Sequence, residues 1–171
     1  MSTVKQNIFL IGFMGAGKST VARELVEKLG FPLIEMDEQI VKEQGMPIRA
    51  IFETKGEAYF RDLETKLIRS LSGQEPTVVS CGGGVAMRQE NVDSMKESGK
   101  VVFLTATPQT IYGRVKDSGD RPILNGHMNV DYIAGLMEKR RPMYEKAADI
   151  VVATDGKTKE EIADEIVQKM L

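Results

Sequence analysis

The sequence has little of several features that mark particular classes of protein. One cysteine, Cys81, stands among 171 residues, which excludes an internal disulfide bond and fits a reducing cytosol. The formal net charge at pH 7 is only −2, so no basic field supports nucleic-acid binding. No apolar run reaches the length of a transmembrane helix, and there are no internal repeats. We therefore expect a single cytoplasmic domain with neither a nucleic-acid nor a membrane partner.

A phosphate-binding motif stands near the start of the chain. Gly12, Gly17, Lys18 and Ser19 match G-x-x-x-x-G-K-[ST], between an apolar run at 8–11 and an amphipathic helical pattern. Glycines let backbone N–H groups approach phosphate oxygens, and the following helix points its positive dipole end at the same anion. Lys18 adds charge for the outer phosphates and Ser19 a hydroxyl ligand for Mg²⁺. The alternative, a glycine-rich turn without function, is disfavoured because the strand and helix contexts are both present, so the motif predicts nucleoside triphosphate binding.

Apolar segments and helical patterns alternate along the rest of the chain. Five segments are predicted to form strands: 8–11, 31–34, 77–81, 100–104 and 149–153. This alternation predicts an α/β fold, a three-layer sandwich around a parallel sheet. A helical pattern at 133–148 contains Pro142, which should kink that helix or begin a second one.

Two stretches within this single domain are longer than simple connections need. Residues from about 35 to 62 are mostly helical in pattern and are assigned to a substrate-binding insert. Residues 119–129 are polar and contain glycine, which predicts a lid over the site at about 113–126. The only histidine, His127, is interpreted as a solvated loop residue.

Candidate site residues follow the predicted strands. Glu35 and Asp37 come after the second strand and the glycines at 82–84 after the third, where open α/β sheets bind ligands. A ligand is favoured over a solvated turn for the carboxylates and over a tight turn for the glycines. Arg61 and Glu64 stand three apart on a helical pattern and can pair. Such a pair is usually a surface feature of small value, unless Arg61 overlooks the phosphate loop.

Together these features indicate phosphoryl transfer. That reaction needs positioning, Mg²⁺ and donors aimed at the moving phosphoryl group, rather than covalent chemistry from the protein. An arginine in the lid, Arg121, would supply such a donor while the lid excludes water. The Asn-Lys-x-Asp sequence typical of GTPases is absent, which disfavours that class.

The chain resembles the shikimate kinase family over essentially its whole length. The resemblance rests on an ordered set of motifs: 12–20, Asp37 two places after an acidic residue, Phe60-Arg61 with Glu64, Gly82-Gly83-Gly84, Arg121-Pro122-Ile123-Leu124, and Arg140 in the Arg-x-Pro-x-Tyr pattern that ends at Tyr144. It implies a nucleoside-monophosphate-kinase-like P-loop fold with five parallel strands in the order 2-3-1-4-5, and a monomer. It also implies transfer of the γ-phosphoryl group of ATP to the 3-hydroxyl of shikimate, in aromatic amino-acid biosynthesis.

The resemblance also implies roles for matching residues. ATP would be bound by Gly12, Gly15, Ala16, Gly17, Lys18, Ser19, Thr20, Arg114 and Arg121, with Arg114 near the adenine. Shikimate would be bound by Asp37, Arg61, Gly82, Gly83, Gly84 and Arg140. Arg61 and Arg140 would hold its carboxylate, while Asp37 would orient or deprotonate the attacking hydroxyl. Lys18 and Arg121 would stabilise the transferring group, which makes Lys18, Asp37 and Arg121 the expected catalytic residues.

The expected metal ligands depart from the family pattern at one position. Ser19 would bind Mg²⁺ directly, and Glu35 and Ser80 would bind it through water. In the family an aspartate commonly stands at the position of Glu35, so this chain keeps the charge on a longer side chain.

Two other functions compete with this interpretation. The first is another small-molecule kinase of the same fold, for gluconate or a nucleoside monophosphate. A nucleotide acceptor would need a pocket for its base, whereas two arginines and three glycines suit a small polyhydroxy acid. The second is a nucleotide-dependent switch without useful turnover, which would bind nucleotide but show no acceptor-stimulated ADP release.

Overall fold

The computed structural model describes residues 4–116 and 129–171. Its strands are β1 (Asn7–Ile11), β2 (Leu33–Glu35), β3 (Val78–Ser80), β4 (Gly99–Thr105) and β5 (Ile150–Ala153). Its helices are α1 (Lys18–Leu29), α2 (Met36–Gln44), α3 (Ile48–Lys55), α4 (Glu57–Ser70), α5 (Gln89–Ser98), α6 (Pro108–Val115), α7 (Val130–Ala147) and α8 (Lys159–Met170), with a short 3₁₀ helix at Val85–Met87. Arg121, His127 and most of the predicted lid lie outside the described residues.

The strands form one parallel sheet in the order β2-β3-β1-β4-β5, as the sequence predicted. Helices connect the parallel strands because a strand must cross back over the sheet before it can pair in the same direction. All carboxyl ends therefore meet at one edge. The first strand, with the phosphate loop at its end, lies in the centre of that edge, which is where ligands bind in open α/β sheets.

The core lies on both faces of the sheet. In β1, Ile8 and Leu10 contribute to one buried cluster with α1 and α8, while Phe9 and Ile11 contribute to a second with α4 and α5. This division follows from the alternation of side chains along a strand. Because β1 is buried on both faces, its sequence is a continuous apolar run, as expected of a parallel strand.

The helices α2 and α3 and the first residues of α4 cover the predicted insert of about 35–62 after β2. They pack around a small separate cluster built from Ile40, Ile51 and Phe60. Phe52 contacts Phe60 edge to face, with ring centroids 5.1 Å apart. The insert thus has an apolar centre of its own beside the main sheet.

The helix α7 runs without a break through Pro142. The alternative in which this proline begins a second helix is therefore wrong. Tyr144 and Ala147, which follow the proline, are buried against the sheet, and this packing keeps the chain helical where a backbone hydrogen bond is missing. No helix in the described ranges is long and apolar enough to cross a membrane.

Candidate active site

The phosphate loop joins β1 to α1 in the conformation that the motif predicted. Gly17 precedes α1 with φ 97°, in the left-handed region that favours glycine. Gly12 lies against the neighbouring strand, since a Cβ there would stand 2.6 Å from the carbonyl oxygen of Leu104. The ammonium of Lys18 donates hydrogen bonds to carbonyl oxygens of its own loop, 2.6 Å from that of Gly12. The loop therefore holds the lysine charge inside the space that it encloses.

A hydroxyl and a carboxylate meet beside this loop. Ser19 Oγ donates to Glu35 Oε2 at 2.9 Å, while the buried Glu35 Oε1 accepts no hydrogen bond from the described residues. Its cationic neighbour is Arg23, whose nitrogen lies 4.0 Å away. Ser80 is the register partner of Glu35 in the adjacent strand, so the three predicted metal-site residues lie together.

This arrangement fits a cation such as Mg²⁺. An unsatisfied carboxylate oxygen next to a hydroxyl offers hard oxygen ligands. Within 4–116 and 129–171, no group of three or more His, Cys, Asp or Glu side chains could hold a metal by itself. A cation here would therefore complete its shell with phosphate oxygens and water, which is how Mg²⁺ commonly binds in kinases.

A cavity of about 490 Å³ opens between the insert and the glycines after β3. Its lining includes four charged residues and three glycines of the predicted site: Asp37, Arg61, Glu64, Arg140, Gly82, Gly83 and Gly84. Arg61 comes from α4 and Arg140 from α7, so two helices far apart in sequence direct guanidinium groups at one space. All the residues predicted to bind a carboxylic acid substrate therefore line one cavity.

The pair formed by Arg61 and Glu64 is a buried feature of this cavity, not a surface one. Nη1 of Arg61 donates to Oε1 of Glu64 at 2.8 Å, and Glu64 is 0% exposed. Burial raises the pKa of Glu64 to about 6; Arg61 opposes this effect and Asp37 adds to it. Burial lowers the pKa of the Arg61 guanidinium. The carboxylates of Glu64 and the exposed Glu57 raise it by more, so the pKa of Arg61 is raised overall.

Four side chains explain the three consecutive glycines. A Cβ on Gly82 would stand 2.8 Å from Oε2 of Glu64 and 3.0 Å from Oδ1 of Asp37. On Gly83 it would stand 3.1 Å from Nη1 of Arg140, and on Gly84 2.7 Å from Cζ of Arg61. None of the three glycines has a positive φ. The glycines are required because functional side chains approach the bare backbone, not because of a strained turn.

Arg140 is fixed by its surroundings on α7. Its guanidinium lies over the ring of Phe13, with Cζ 5.6 Å from the centroid, and Nη1 donates to the carbonyl of Gly83 at 3.4 Å. The hydroxyl of Tyr144 donates to the same carbonyl at 2.6 Å. Sequence analysis assigned no role to Tyr144, although the Arg-x-Pro-x-Tyr spacing places it one turn after Arg140 on the same side of the helix.

A second cavity, also of about 490 Å³, lies over the phosphate loop. It is lined by Gly15, Gly17, Lys18, Ser19, Thr20, Glu35, Ser80 and Arg114, among others. Arg114 is exposed and its Nη1 donates to the carbonyl of Gly15 at 2.7 Å. Asp37, Gly82 and Gly83 are among the residues that line both cavities, so the two spaces adjoin beside these residues.

Two features near the site carry no predicted function. Cys81 is buried, and this burial raises its thiol pKa, so it packs as a small apolar residue, as predicted. A third cavity, of about 400 Å³, lies between α6 and α7 and is mainly apolar. Of the predicted site residues that the structure describes, only Ala16 lines it.

Comparison with known proteins decides among the kinase classes. The family model of shikimate kinase matches residues 14–171. The chain is 44% identical over 165 residues to shikimate kinase of Persephonella marina, which covers 96% of this chain and 99% of that protein. This chain belongs to the shikimate kinase family. Members of the shikimate kinase family are ATP-dependent kinases that act on shikimate.

Solved shikimate kinases have the same architecture. A structure from Acinetobacter baumannii in complex with shikimate has a TM-score of 0.89 and 32% identity, covering 95% of this chain and 91% of that one. A shikimate kinase from Aquifex aeolicus has a TM-score of 0.82 and 42% identity, covering 96% and 95%. A gluconokinase from Sinorhizobium meliloti reaches a TM-score of 0.60 at 20% identity, covering 96% and 91%, and this likeness shows the fold alone. The predicted fold, family and kinase function are confirmed.

Proposed function

We propose that the site transfers the γ-phosphoryl group of ATP to the 3-hydroxyl of shikimate, giving shikimate 3-phosphate and ADP. The observation that carries this proposal is the position of Asp37. Asp37 lines both the cavity over the phosphate loop and the cavity lined by Arg61 and Arg140. A hydroxyl beside Asp37 would face the end of a triphosphate held by the loop, which is the alignment that phosphoryl transfer requires.

The nucleotide binds in the cavity over the loop, on these residues: Gly12, Gly15, Ala16, Gly17, Lys18, Ser19, Thr20 and Arg114. Backbone N–H groups at the start of α1 receive the phosphates. Lys18 leaves the loop carbonyl that it now contacts and pairs with the outer phosphate oxygens, where a charge-assisted bond is stronger than one to a neutral carbonyl. Arg114 stands over the loop on the side of the base. Arg121, outside the described residues, remains a predicted second cation for the transferring group.

Mg²⁺ would be held by Ser19, Glu35 and Ser80. The hydroxyl of Ser19 would bind the ion directly, and Glu35 and Ser80 would act through water. When bound, the ion neutralises charge on the phosphate oxygens. The longer side chain of Glu35, which already reaches Ser19 at 2.9 Å, supports this role in place of an aspartate.

The acceptor is held by its carboxylate. Arg61 and Arg140 present two planar donors to it, and such forks recognise a carboxylate in two directions. Glu64 keeps Arg61 in place through the buried 2.8 Å bond. The 3-hydroxyl oxygen then attacks the γ-phosphorus, the bond to the oxygen that bridges to the β-phosphate breaks, and Asp37 orients the hydroxyl and receives its proton.

Coupled ADP release with Mg-ATP tests the proposal, with shikimate, gluconate and nucleoside monophosphates compared as acceptors. Of these acceptors, only shikimate should stimulate ADP release. Arg61→Ala and Arg140→Ala should each raise the shikimate KM by about 100-fold, since each removes a charged partner, and should leave the ATP KM within about twofold.

The matched control is Arg69→Ala, which removes an exposed arginine of α4 that pairs with Glu90. This variant should behave like the unsubstituted enzyme, because exposed ion pairs contribute little. Absence of shikimate-dependent turnover would refute the proposal, and a raised ATP KM with normal shikimate KM would refute the assignment of the two arginines. A monomeric state and a cytoplasmic location stay predictions.

A further inference from the structure

Tyr144 lies between the buried cluster that contains Phe9 and Ile11 and the cavity lined by Arg61 and Arg140, which we call the acceptor cavity. It lies on α7, is 2% exposed, and packs its ring on Phe103 with centroids 5.0 Å apart. Its hydroxyl leaves this apolar surrounding and donates to the carbonyl of Gly83 at 2.6 Å. A buried tyrosine hydroxyl needs such a partner, so the bond fixes both the ring and the carbonyl.

The carbonyl of Gly83 is shared. Nη1 of Arg140 also donates to it, but at 3.4 Å, so the bond from Tyr144 is the shorter one. The peptide that follows is trans and planar, so a fixed carbonyl on Gly83 also fixes the N–H of Gly84 on the opposite side. The guanidinium of Arg61 packs directly against Gly84. The two arginines of the cavity therefore contact neighbouring residues of one backbone segment, Arg140 at Gly83 and Arg61 at Gly84.

We propose that Tyr144 is a positioning residue, which holds the Gly83 carbonyl so that Arg61 and Arg140 keep the spacing that a substrate carboxylate needs. The inference rests on the proposed function. When the carboxylate arrives, Arg140 turns its donors toward it and weakens its own long bond to Gly83. The hydroxyl of Tyr144 then keeps the carbonyl in place, so the glycine backbone does not have to reorganise during binding. Burial raises the pKa of Tyr144, which keeps it a donor at neutral pH.

The test is Tyr144→Phe, which removes the hydroxyl and keeps the ring on Phe103. The shikimate KM should rise by about tenfold, as for the loss of one well-formed hydrogen bond. The ATP KM and kcat should stay within about twofold, because the phosphate loop is untouched. Tyr59→Phe is the matched control: it also loses a hydroxyl bond, to Gln44 at 2.9 Å, but on an exposed surface.

A double-mutant cycle with Arg140→Ala separates positioning from a general structural effect. Shikimate binding is measured by calorimetry for both single variants and the double variant. If Tyr144 acts through the pair of arginines, its substitution should weaken binding by less than about twofold once Arg140 is absent. Independent effects would multiply to the full tenfold loss instead, and that result would overturn the inference.

The remaining outcomes are also decisive. No shikimate-dependent turnover in the unsubstituted enzyme would defeat the proposed function itself. Normal turnover with an unchanged shikimate KM in Tyr144→Phe would defeat only the inference, as would an equal rise in both substrate KM values. If Tyr144→Phe does not fold, Phe103→Leu provides the test. That variant keeps the hydroxyl but loosens the ring, and it should raise the shikimate KM alone by about threefold.

Discussion

Glu64 is a buried carboxylate of the site whose hydrogen bonding is incomplete. Its Oε1 accepts from Arg61, but its buried Oε2 accepts no hydrogen bond from the described residues. Asp37 adds a second negative charge across Gly82. Burial of an incompletely satisfied carboxylate favours its neutral form, and this is why the pKa of Glu64 rises to about 6.

The raised pKa of Glu64 predicts a pH dependence of stability. The ordinary pKa is 4.5 and the folded value is about 6, so between these values the folded protein binds more protons than the unfolded chain. The free energy of unfolding should therefore fall as pH rises through this window, by up to about 2 kcal/mol from this group. Glu64→Gln imitates the protonated side chain and should remove this part of the profile. Urea denaturation of both proteins from pH 4.5 to 7 measures the difference.

The control for this prediction is Glu57→Gln. Glu57 contacts the same guanidinium of Arg61, but its side chain is 65% exposed. Its removal should leave the shape of the profile unchanged, because exposed pairs are screened by solvent. Parallel profiles for the unsubstituted protein and Glu64→Gln would contradict the account of Glu64.

Single residues also mark the limit of what the sequence could predict about the site. Spacing alone predicted that Arg61 and Glu64 pair, but a spacing of three does not tell which face of the helix is covered. Burial of Glu64 depends on the glycines after β3, which are distant in sequence and approach it through the fold. The role of Tyr144 was missed for a similar reason, since its partner is a backbone carbonyl 61 positions away.

The element that organises the acceptor cavity is the glycine turn after β3. Side chains from α2, α4 and α7 all approach its backbone. The sequence predicted a need for bare backbone there, and favoured a ligand over a tight turn. The turn holds no positive φ, and protein side chains fill the space beside each glycine. A run of glycines can therefore indicate where functional side chains converge as well as where a ligand lies.

This turn predicts the effect of Gly84→Ala. The backbone of Gly84, with φ −98° and ψ 0°, is open to alanine, so strain is not the issue. The new methyl group would stand 2.7 Å from Cζ of Arg61 and displace the guanidinium. The shikimate KM should rise by at least about tenfold, with the ATP KM within about twofold, in steady-state assays.

Gly135→Ala is the matched control for the same change. Gly135 lies on the exposed side of α7 with no atom within 4 Å of a Cβ. Alanine there should leave both KM values unchanged and raise the free energy of unfolding by about 0.5–1 kcal/mol, because it favours the helix. A normal shikimate KM in Gly84→Ala would contradict this prediction, because it would mean that Arg61 can move away from the methyl group without weakening shikimate binding.

On the scale of the whole molecule, alternation of strands and helices was enough to predict the layers of the fold. Each segment shows its place in the layers through its own side chains. The continuous apolar sequence of β1, for example, indicates a strand that is buried on both faces of the sheet. The strand order and the residue roles came from the resemblance to a family, because pairing between distant strands leaves little trace in any one segment. The separate apolar centre of the insert is visible only in the folded chain.

That separate centre predicts how the molecule responds to its acceptor. Most of the insert packs on Ile40, Ile51 and Phe60, while Met36 at its start packs into a cluster of the sheet, so the helices of the insert can shift together with little disturbance of the main core. Asp37 at its start and Arg61 near its end both line the acceptor cavity. Shikimate should therefore slow amide hydrogen exchange in 38–56, while exchange in β1 and β3 stays constant.

The control is Arg140→Ala at the same shikimate concentration. This variant should lose the effect, since shikimate binding is lost although the insert is unaltered. Equal protection of the insert and the sheet would instead indicate general stabilisation by the ligand, and would contradict movement of the insert as a unit.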